Sequence, residues 1–221
     1  MRVSVIVPTY NRAKYIGRTI RSLLDQAWVK DNYEIVVIND GSKDQTSAIL
    51  DVFSDSIKII NLPQNMGLPS AVNVGIKQAR GEFVIRVDDD DYLHEDFLKT
   101  LCNFLDMNKD FDAVCCDYLV INEKEQIIER KNAEKDPIAC GIMFRKDQLI
   151  DIGLYDESFL SREEEDLRKR FTKKYKIKRI ELPLYRYMKH SENMTLDKER
   201  MDFFKKMLEE KHNIKKYENK Q

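Results

Sequence analysis

The chain has 221 residues, 42% hydrophobic and 35% charged, with 38 lysines and arginines against 39 aspartates and glutamates. This composition suits a packed core under a highly charged surface. The near-neutral balance argues against a nucleic-acid binder, which normally carries a basic excess, and no run approaches the roughly 18 apolar residues of a membrane-spanning helix. The N-terminal run Val3-Ser4-Val5-Ile6-Val7 is too short for a signal-peptide core and has no small-residue cleavage site behind it, so it is expected to be a first buried strand. Further strand-length apolar runs fall at residues 34–38, 57–60 and 83–87. Helical spacing separates them. Ile16, Ile20, Leu23 and Leu24 share one face, as do Ile49, Leu50 and Phe53, whose helix is expected to take Ser42 as its N-cap. Val72, Ile76 and Ala79 form a third stripe, with Gly81 expected as the helix stop. Strands alternating with helices predict a parallel sheet with right-handed crossovers, and runs such as Ile35-Val36-Val37-Ile38 are apolar on both faces, as strands covered on both sides should be.

The second half is less regular. Residues 97–105 and 163–175 read as helices, while residues 113–121, 138–144 and 177–182 read as strands, with 126–129 pairing onto 113–121. Residues 197–221 form a charged amphipathic helix or tail carrying Met201, Phe204, Met207 and Leu208 on one stripe. Cys102, Cys115, Cys116 and Cys140 make no C-x-x-C pair. Cys115 and Cys116, adjacent on a strand, point to opposite faces, so buried free thiols in a reducing compartment, the cytoplasm, are expected.

Ligands of doubly wound sheets bind beyond the carboxyl ends of the strands, where strand order reverses. The first strand is followed by Pro8-Thr9-Tyr10-Asn11-Arg12, the second by Asn39-Asp40-Gly41-Ser42 and the fourth by Asp88-Asp89-Asp90-Asp91. Four consecutive carboxylates repel one another. A divalent Mg²⁺ or Mn²⁺ is their natural partner, since these ions favour carboxylate and phosphate oxygens; the alternative is a solvated acidic turn at the start of a helix.

The ordered set Val5-Ile6-Val7-Pro8-Thr9-Tyr10-Asn11, Val37-Ile38-Asn39-Asp40-Gly41-Ser42, Asn65-Met66-Gly67 and Val87-Asp88-Asp89-Asp90-Asp91 resembles the family 2 glycosyltransferases over roughly residues 1–195. The resemblance implies a GT-A fold: α/β, with a Rossmann-like, mixed but mostly parallel sheet flanked by helices. It divides a domain of residues 1–196 into a nucleotide-sugar-binding half (1–95) and an acceptor-binding half (96–196). Pro8, Thr9, Tyr10, Asn11, Asp40, Asn65 and Gly67 would then line the donor site, with Asp40 facing the base and the stretch running on through Asn73 and Gly75. Asp88 would approach the ribose or sugar, Asp89 would belong to the same donor-binding set, Asp90 would hold the divalent metal that bridges the diphosphate, and Asp91 would support that site. Glu163-Glu164-Glu165-Asp166-Leu167-Arg168-Lys169-Arg170 resembles the family's segment carrying the catalytic base. Aligning Leu167 and Arg170 puts that role on Glu164, where the family usually has Asp, and the longer side chain leaves Glu163 and Glu165 as rivals. In Tyr185-Arg186-Tyr187-Met188-Lys189-His190, His190 would reach the metal or the diphosphate, and Arg186 and Lys189 would screen phosphate charge. Gly141, Arg145 and Lys146 fall where the family lines its acceptor pocket.

The implied reaction is metal-dependent and inverting. A sugar passes from a nucleotide donor, UDP-linked being the family's commonest, to a hydroxyl of a glycan or lipid-linked acceptor in polysaccharide or cell-surface glycan synthesis. Two competing readings are nucleotidyl transfer, which lacks its usual Gly-rich basic loop here, and a nucleotide-sugar sensor or inactive partner subunit. The mixed charge of the C-terminal helix fits packing on the domain at least as well as peripheral contact with the inner face of a membrane.

Overall fold

Strands that are apolar on both faces have to be covered on both faces, and Ile35, Val36, Val37 and Ile38 are all buried to within 3% of full enclosure. The computed structural model describes residues 1–191, 193 and 196–213. Its elements are β1 (Val3–Thr9), α1 (Ile16–Leu24), β2 (Tyr33–Asn39), α2 (Thr46–Asp51), β3 (Lys58–Asn61), α3 (Leu68–Gln78), β4 (Phe83–Arg86) and β5 (Tyr92–Leu93). These are followed by α4 (Phe97–Met107), β6 (Ala113–Ile121), β7 (Ile127–Lys131), β8 (Ile142–Arg145), α5 (Lys146–Asp151), α6 (Glu163–Phe171), β9 (Ile177–Met188) and α7 (Lys198–Asn213).

One sheet runs β3-β2-β1-β4-β8-β6-β9-β5, with β7 paired to β6. β3, β2, β1 and β4 are mutually parallel. β8 is antiparallel to both β4 and β6, and β6 and β9 are parallel again. The expected mixed, mostly parallel sheet flanked by helices is therefore present. Because β2 and β4 flank β1 on opposite sides, strand order reverses at β1 and a crevice opens beyond the carboxyl ends of these three strands.

The helices bury the stripes read from the sequence. Ile16, Thr19, Ile20 and Leu23 form the inner face of α1. On α3, Gly75 allows an unusually close approach: a Cβ there would come within 2.5 Å of Ile6 Cγ2 and 2.6 Å of Ile38 Cδ1. Several boundaries differ from expectation. α2 begins at Thr46, and Ser42 does not cap it; the Ser42 hydroxyl accepts from the Asn11 N–H, while Asp44 accepts from the Thr46 N–H. α3 ends at Gln78, and Gly81 is needed for a different reason, since a Cβ would strike the β1 backbone at Ser4 N, 2.6 Å away. α6 stops at Phe171 rather than Tyr175, and β8 occupies only the end of the 138–144 run. β9 continues past Pro183 to Met188 because a register shift opposite Cys116 and Asp117 accommodates a residue without an N–H.

α7 packs on the domain. Phe204 and Leu208 are buried against Phe159. Beneath them the fully enclosed Asp166 receives Arg170 Nε at 2.8 Å, Lys211 Nζ at 2.7 Å and His212 Nε2 at 2.8 Å. The part of the expected tail beyond Asn213 lies outside the described residues. Among the described residues no helix is long and apolar enough to cross a membrane.

Two outcomes follow from this packing. Gly75→Val should lower the unfolding free energy by about 1–3 kcal/mol through overpacking, read from urea denaturation; unchanged stability would mean that α3 does not sit this close to β1 and β2. Asp166→Ala leaves Arg170, Lys211 and His212 facing each other without their shared carboxylate, at a cost of about 3–5 kcal/mol for breaking a buried pair. Hydrogen exchange should then show α7 losing protection while β1–β4 keep theirs, and equal protection of α7 in both proteins would refute the role given to Asp166.

Candidate active site

The crevice at the strand ends is a cavity of about 840 Å³. Pro8, Thr9, Tyr10, Asn11, Asp40, Asn65, Gly67, Asp88, Asp89, Asp90 and Glu164 all line it. His190 joins from the end of β9, with Nε2 2.8 Å from Asp90 Oδ2 and its ring stacked on Tyr15 at 4.6 Å. Residues as far apart in sequence as Pro8 and His190 thus meet at one place.

The loops after β1 and β2 are locked together. Asn11, in a left-handed conformation (φ 53°), accepts from the Lys43 N–H through its side chain at 2.7 Å. Asp40 is buried, and its two oxygens accept from the Met66 N–H (2.8 Å) and the Gly67 N–H (3.0 Å). Gly41 makes this approach feasible: at φ 72° it bears no Cβ, which would lie 2.5 Å from the Gln64 carbonyl carbon. The result is a backbone collar around the Asp40 carboxylate at the cavity edge. Tyr10 stands at the mouth, 40% exposed. Asn73 and Gly75, further along α3, do not line the cavity. Asn73 bonds instead to the Tyr155 backbone and Glu157, and Gly75 serves helix–sheet packing.

The acidic loop after β4 is held from two sides, by α1 and by β9. The Thr19 hydroxyl of α1 donates toward the Asp89 and Asp91 carbonyls (2.9 and 2.7 Å), and Arg18 donates to the Asp90 carbonyl at 2.9 Å. Asp91 is fully enclosed and accepts from the Tyr185 hydroxyl at 2.7 Å and the Met188 N–H at 2.8 Å, both on β9. Burial, then repulsion from Asp90 and Asp88, pushes Asp91 well above the usual carboxylate range. Burial and Asp90 also raise Asp89 to about 8, against the pull of Arg12 3.6 Å away. Asp88 is raised by burial as well, although Arg86 Nε, 2.7 Å from it, opposes the shift. Carboxylates forced this far up are a standing demand for positive charge.

The residues present fit a divalent cation. Two ligands on an octahedral ion with bonds near 2.1 Å sit about 3 Å apart, which matches the 2.8 Å between Asp90 Oδ2 and His190 Nε2. Ligand atoms of Asp88, Asp91 and Cys140 also lie within 4.8 Å of one another. That group is a poorer fit, because both Asp91 oxygens are already engaged and burial keeps the Cys140 thiol strongly protonated.

On α6 four consecutive acids have four different fates. Glu163 accepts from Arg86 Nη1 at 2.7 Å, so one buried guanidinium joins Asp88 to the base of α6. Glu165 pairs with Arg162, and like Glu163 it lines the same cavity, while Asp166 faces away toward α7. Glu164 pairs with Arg168 one turn further on and lies on the cavity wall, 6% exposed. Burial, only partly offset by Arg168 and reinforced by Glu163 and Glu165, raises Glu164 to about 7.

Some expectations did not converge on this site. Arg145 donates to the Leu105 and Phe111 carbonyls and Lys146 to the Ala79 carbonyl, so neither lines the cavity, and Gly141 lines a separate one. Arg186 turns to the Pro183 carbonyl, Lys189 is exposed, and neither lines the cavity. The sequence reading missed Arg86, the Pro137–Ala139 wall, and Arg200 and Met201 of α7, which all line it. Of these only Arg86 left a trace in the sequence, a lone charge inside a buried strand just before an acidic run. The others arrive through tertiary packing.

Comparison with known proteins identifies the family and the fold. The family model for glycosyl transferase family 2 matches residues 4–161. Staphylococcus aureus TarS, a poly(ribitol-phosphate) beta-N-acetylglucosaminyltransferase, is 44% identical over 109 residues, spanning 48% of this chain and 19% of TarS. An uncharacterized glycosyltransferase of Rickettsia typhi is 33% identical over 184 residues, spanning 75% of this chain and 57% of its own. The chain therefore spans from a fifth to just over half of these relatives. The crystal structure of S. aureus TarS 1–349 with UDP-GlcNAc superposes with a TM-score of 0.77 at 26% identity, covering 92% of this chain and 65% of that one. A Pyrobaculum calidifontis mannosyltransferase in complex with GDP-Man and Mn²⁺ shares the fold, with a TM-score of 0.74 at 19% identity. The architecture is the GT-A fold of these structures, and with 158 consecutive residues (4 to 161) matched out of 221, the chain belongs to glycosyl transferase family 2.

Proposed function

We propose that this protein is an inverting glycosyltransferase that moves a hexosyl or N-acetylhexosaminyl group from a UDP-sugar to an acceptor hydroxyl in polysaccharide or cell-surface glycan synthesis. The observation that carries the proposal is that Glu164 and the acidic residues Asp88–Asp90 face one cavity of about 840 Å³. The likeness to TarS bound to UDP and to UDP-GlcNAc supports a uridine donor. Residues 1–95 form the donor half and 96–196 the acceptor half, which receives a glycan or lipid-linked hydroxyl.

In this reading Tyr10, Asp40 and the Asn65–Gly67 turn receive the nucleoside, with Pro8, Thr9 and Asn11 shaping the floor, while Asp88 and Asp89 face the ribose and sugar. Asp90 and His190 would hold Mn²⁺ or Mg²⁺, which when bound would supply positive charge against that of the departing diphosphate. Glu164 takes the proton from the acceptor hydroxyl as its oxygen bonds to the anomeric carbon. The bond from that carbon to the diphosphate breaks from the opposite face, UDP departs with the electron pair, and configuration inverts. A carboxyl raised to about 7 suits this task, since a general base works best near the operating pH. An inactive nucleotide-sugar sensor would have no use for such a group.

The free, buried cysteines support a reducing, cytoplasmic compartment. Contact with the inner face of a membrane would run through the outer side of α7, where Phe203 is 63% exposed beside Lys205 and Lys206.

Glu164→Gln should cut transfer by about 10²–10⁴-fold and leave UDP affinity unchanged by calorimetry; near wild-type transfer would remove the base assignment. In the unmodified protein, turnover should rise as pH increases through about 7, where Glu164 ionises. Calorimetry with UDP should show binding that weakens by about tenfold or more when Mn²⁺ is chelated and to the same degree in Asp90→Ala. Metal-independent UDP binding would defeat the metal assignment.

A further inference from the structure

Glu164 has a cationic partner to which the proposed chemistry gives no role. Arg168 lies one turn along α6, and its Nη2 reaches both the Glu164 carboxylate and the Ile138 carbonyl, the latter at 3.2 Å. Ile138 belongs to the Pro137–Ala139 wall of the donor cavity and also lines a second cavity of about 420 Å³ behind it, where Arg168 lies too. Arg168 thus stands in the partition between the two spaces, joining the carboxylate on α6 to a loop that carries no helix or strand of its own.

We propose that Arg168 is a positioning residue for the transfer reaction, holding the Glu164 carboxylate at the cavity wall and pinning it to the Pro137–Ala139 loop. The inference rests on Glu164 being the base. The charges around Glu164 assign the task to this residue. On its own helix Glu163 and Glu165 repel it, and the enclosed Tyr155 phenol lies within the same field. On β4, Arg86 is within its electrostatic reach, but that guanidinium is committed to Asp88 and Glu163. On the N-terminal side Arg162 is paired with Glu165. Among the described residues Arg168 is the cation in ion-pair contact with Glu164, and a planar guanidinium can hold a carboxylate and a carbonyl together where an ammonium is a point charge. Without it, burial and two neighbouring glutamates act on Glu164 unopposed at short range, so the base is neutral at pH 7 and free to swing away from the acceptor.

The test compares the unmodified protein with Arg168→Gln and Arg168→Lys, with Arg168→Met replacing the Gln variant should that one not fold. Two readouts are taken across about pH 5.5 to 9: hydrolysis of UDP-GlcNAc with Mn²⁺, and the ¹³C NMR titration of the Glu164 carboxyl, assigned by its disappearance in Glu164→Gln. Removing the guanidinium should move the Glu164 midpoint and the acid limb of hydrolysis up by about one pH unit or more. Hydrolysis at pH 7 should then fall by about tenfold and recover at high pH, UDP affinity should stay within about twofold, and Lys should restore part of the shift. A Glu164 midpoint unchanged in Arg168→Gln or Arg168→Met, or a loss equal at every pH, would overturn the proposal. Full hydrolysis by Glu164→Gln would instead overturn the base assignment on which it stands.

Discussion

The carboxylate of Asp91 is where the two halves of the molecule are tied. It ends the acidic loop of the parallel half, is fully enclosed, and is bonded to the Tyr185 hydroxyl and the Met188 N–H of β9 in the other half. A buried carboxyl is tolerable only when its oxygens are satisfied, so β9 must run far enough past its bulge to bring both donors. That extension also delivers His190 to Asp90. The geometry of the acidic loop is therefore set from outside the segment that contains it, by α1 through Thr19 and Arg18 and by β9 through Tyr185 and Met188.

The same logic sorts the acids of α6. Chemically they are nearly equivalent and successive in sequence, yet a helix turns by a hundred degrees per residue and sends them to different neighbours. Glu163 meets a buried arginine, Asp166 meets Arg170, Lys211 and His212, and Glu165 meets Arg162. Glu163, Glu164 and Glu165 all line the cavity, and Glu164, whose close cation among the described residues is Arg168, has the raised affinity for its proton. Environment separates the acids where chemistry does not, which is how one stretch can hold both ion-paired anchors and a carboxyl with a raised affinity for its proton.

α7 has a comparable double duty. Its apolar stripe is spent on Phe159 and its Lys211 and His212 on Asp166. Docked in this way, its first turn sets Arg200 and Met201 into the cavity wall, with Arg200 further fastened to Ser161 and the Leu160 carbonyl. A charged helix that looks like a detachable tail is in fact part of the wall of the site.

Much was legible from the sequence because it depended on local physics. Apolar runs covered on both faces marked β1, β2 and β4, helical stripes marked α1 and α3, and polar residues and acids at strand ends marked the crevice to which Pro8 through Asn11, Asp40 and Asp88 through Asp90 belong, while Asn65 and Gly67 were marked by the resemblance to the family. Boundaries were less legible where tertiary contacts overrule local signals: Ser42 caps its neighbouring loop rather than a helix, Gly81 yields to a strand rather than ending a helix, and β9 passes a proline at a bulge. Arg145, Lys146, Arg186 and Lys189 looked available for substrate because a sequence shows charge but not direction; in the structure all but Lys189 turn to backbone carbonyls, and none reaches the cavity. By itself the sequence determined the order of elements through β4, the strand ends that line the cavity and the family. Only the tertiary structure decided how each acid of α6 is paired, which residues of β9 and α7 enclose the cavity and how far each carboxyl is desolvated, since burial and long-range pairing depend on neighbours that no local pattern names.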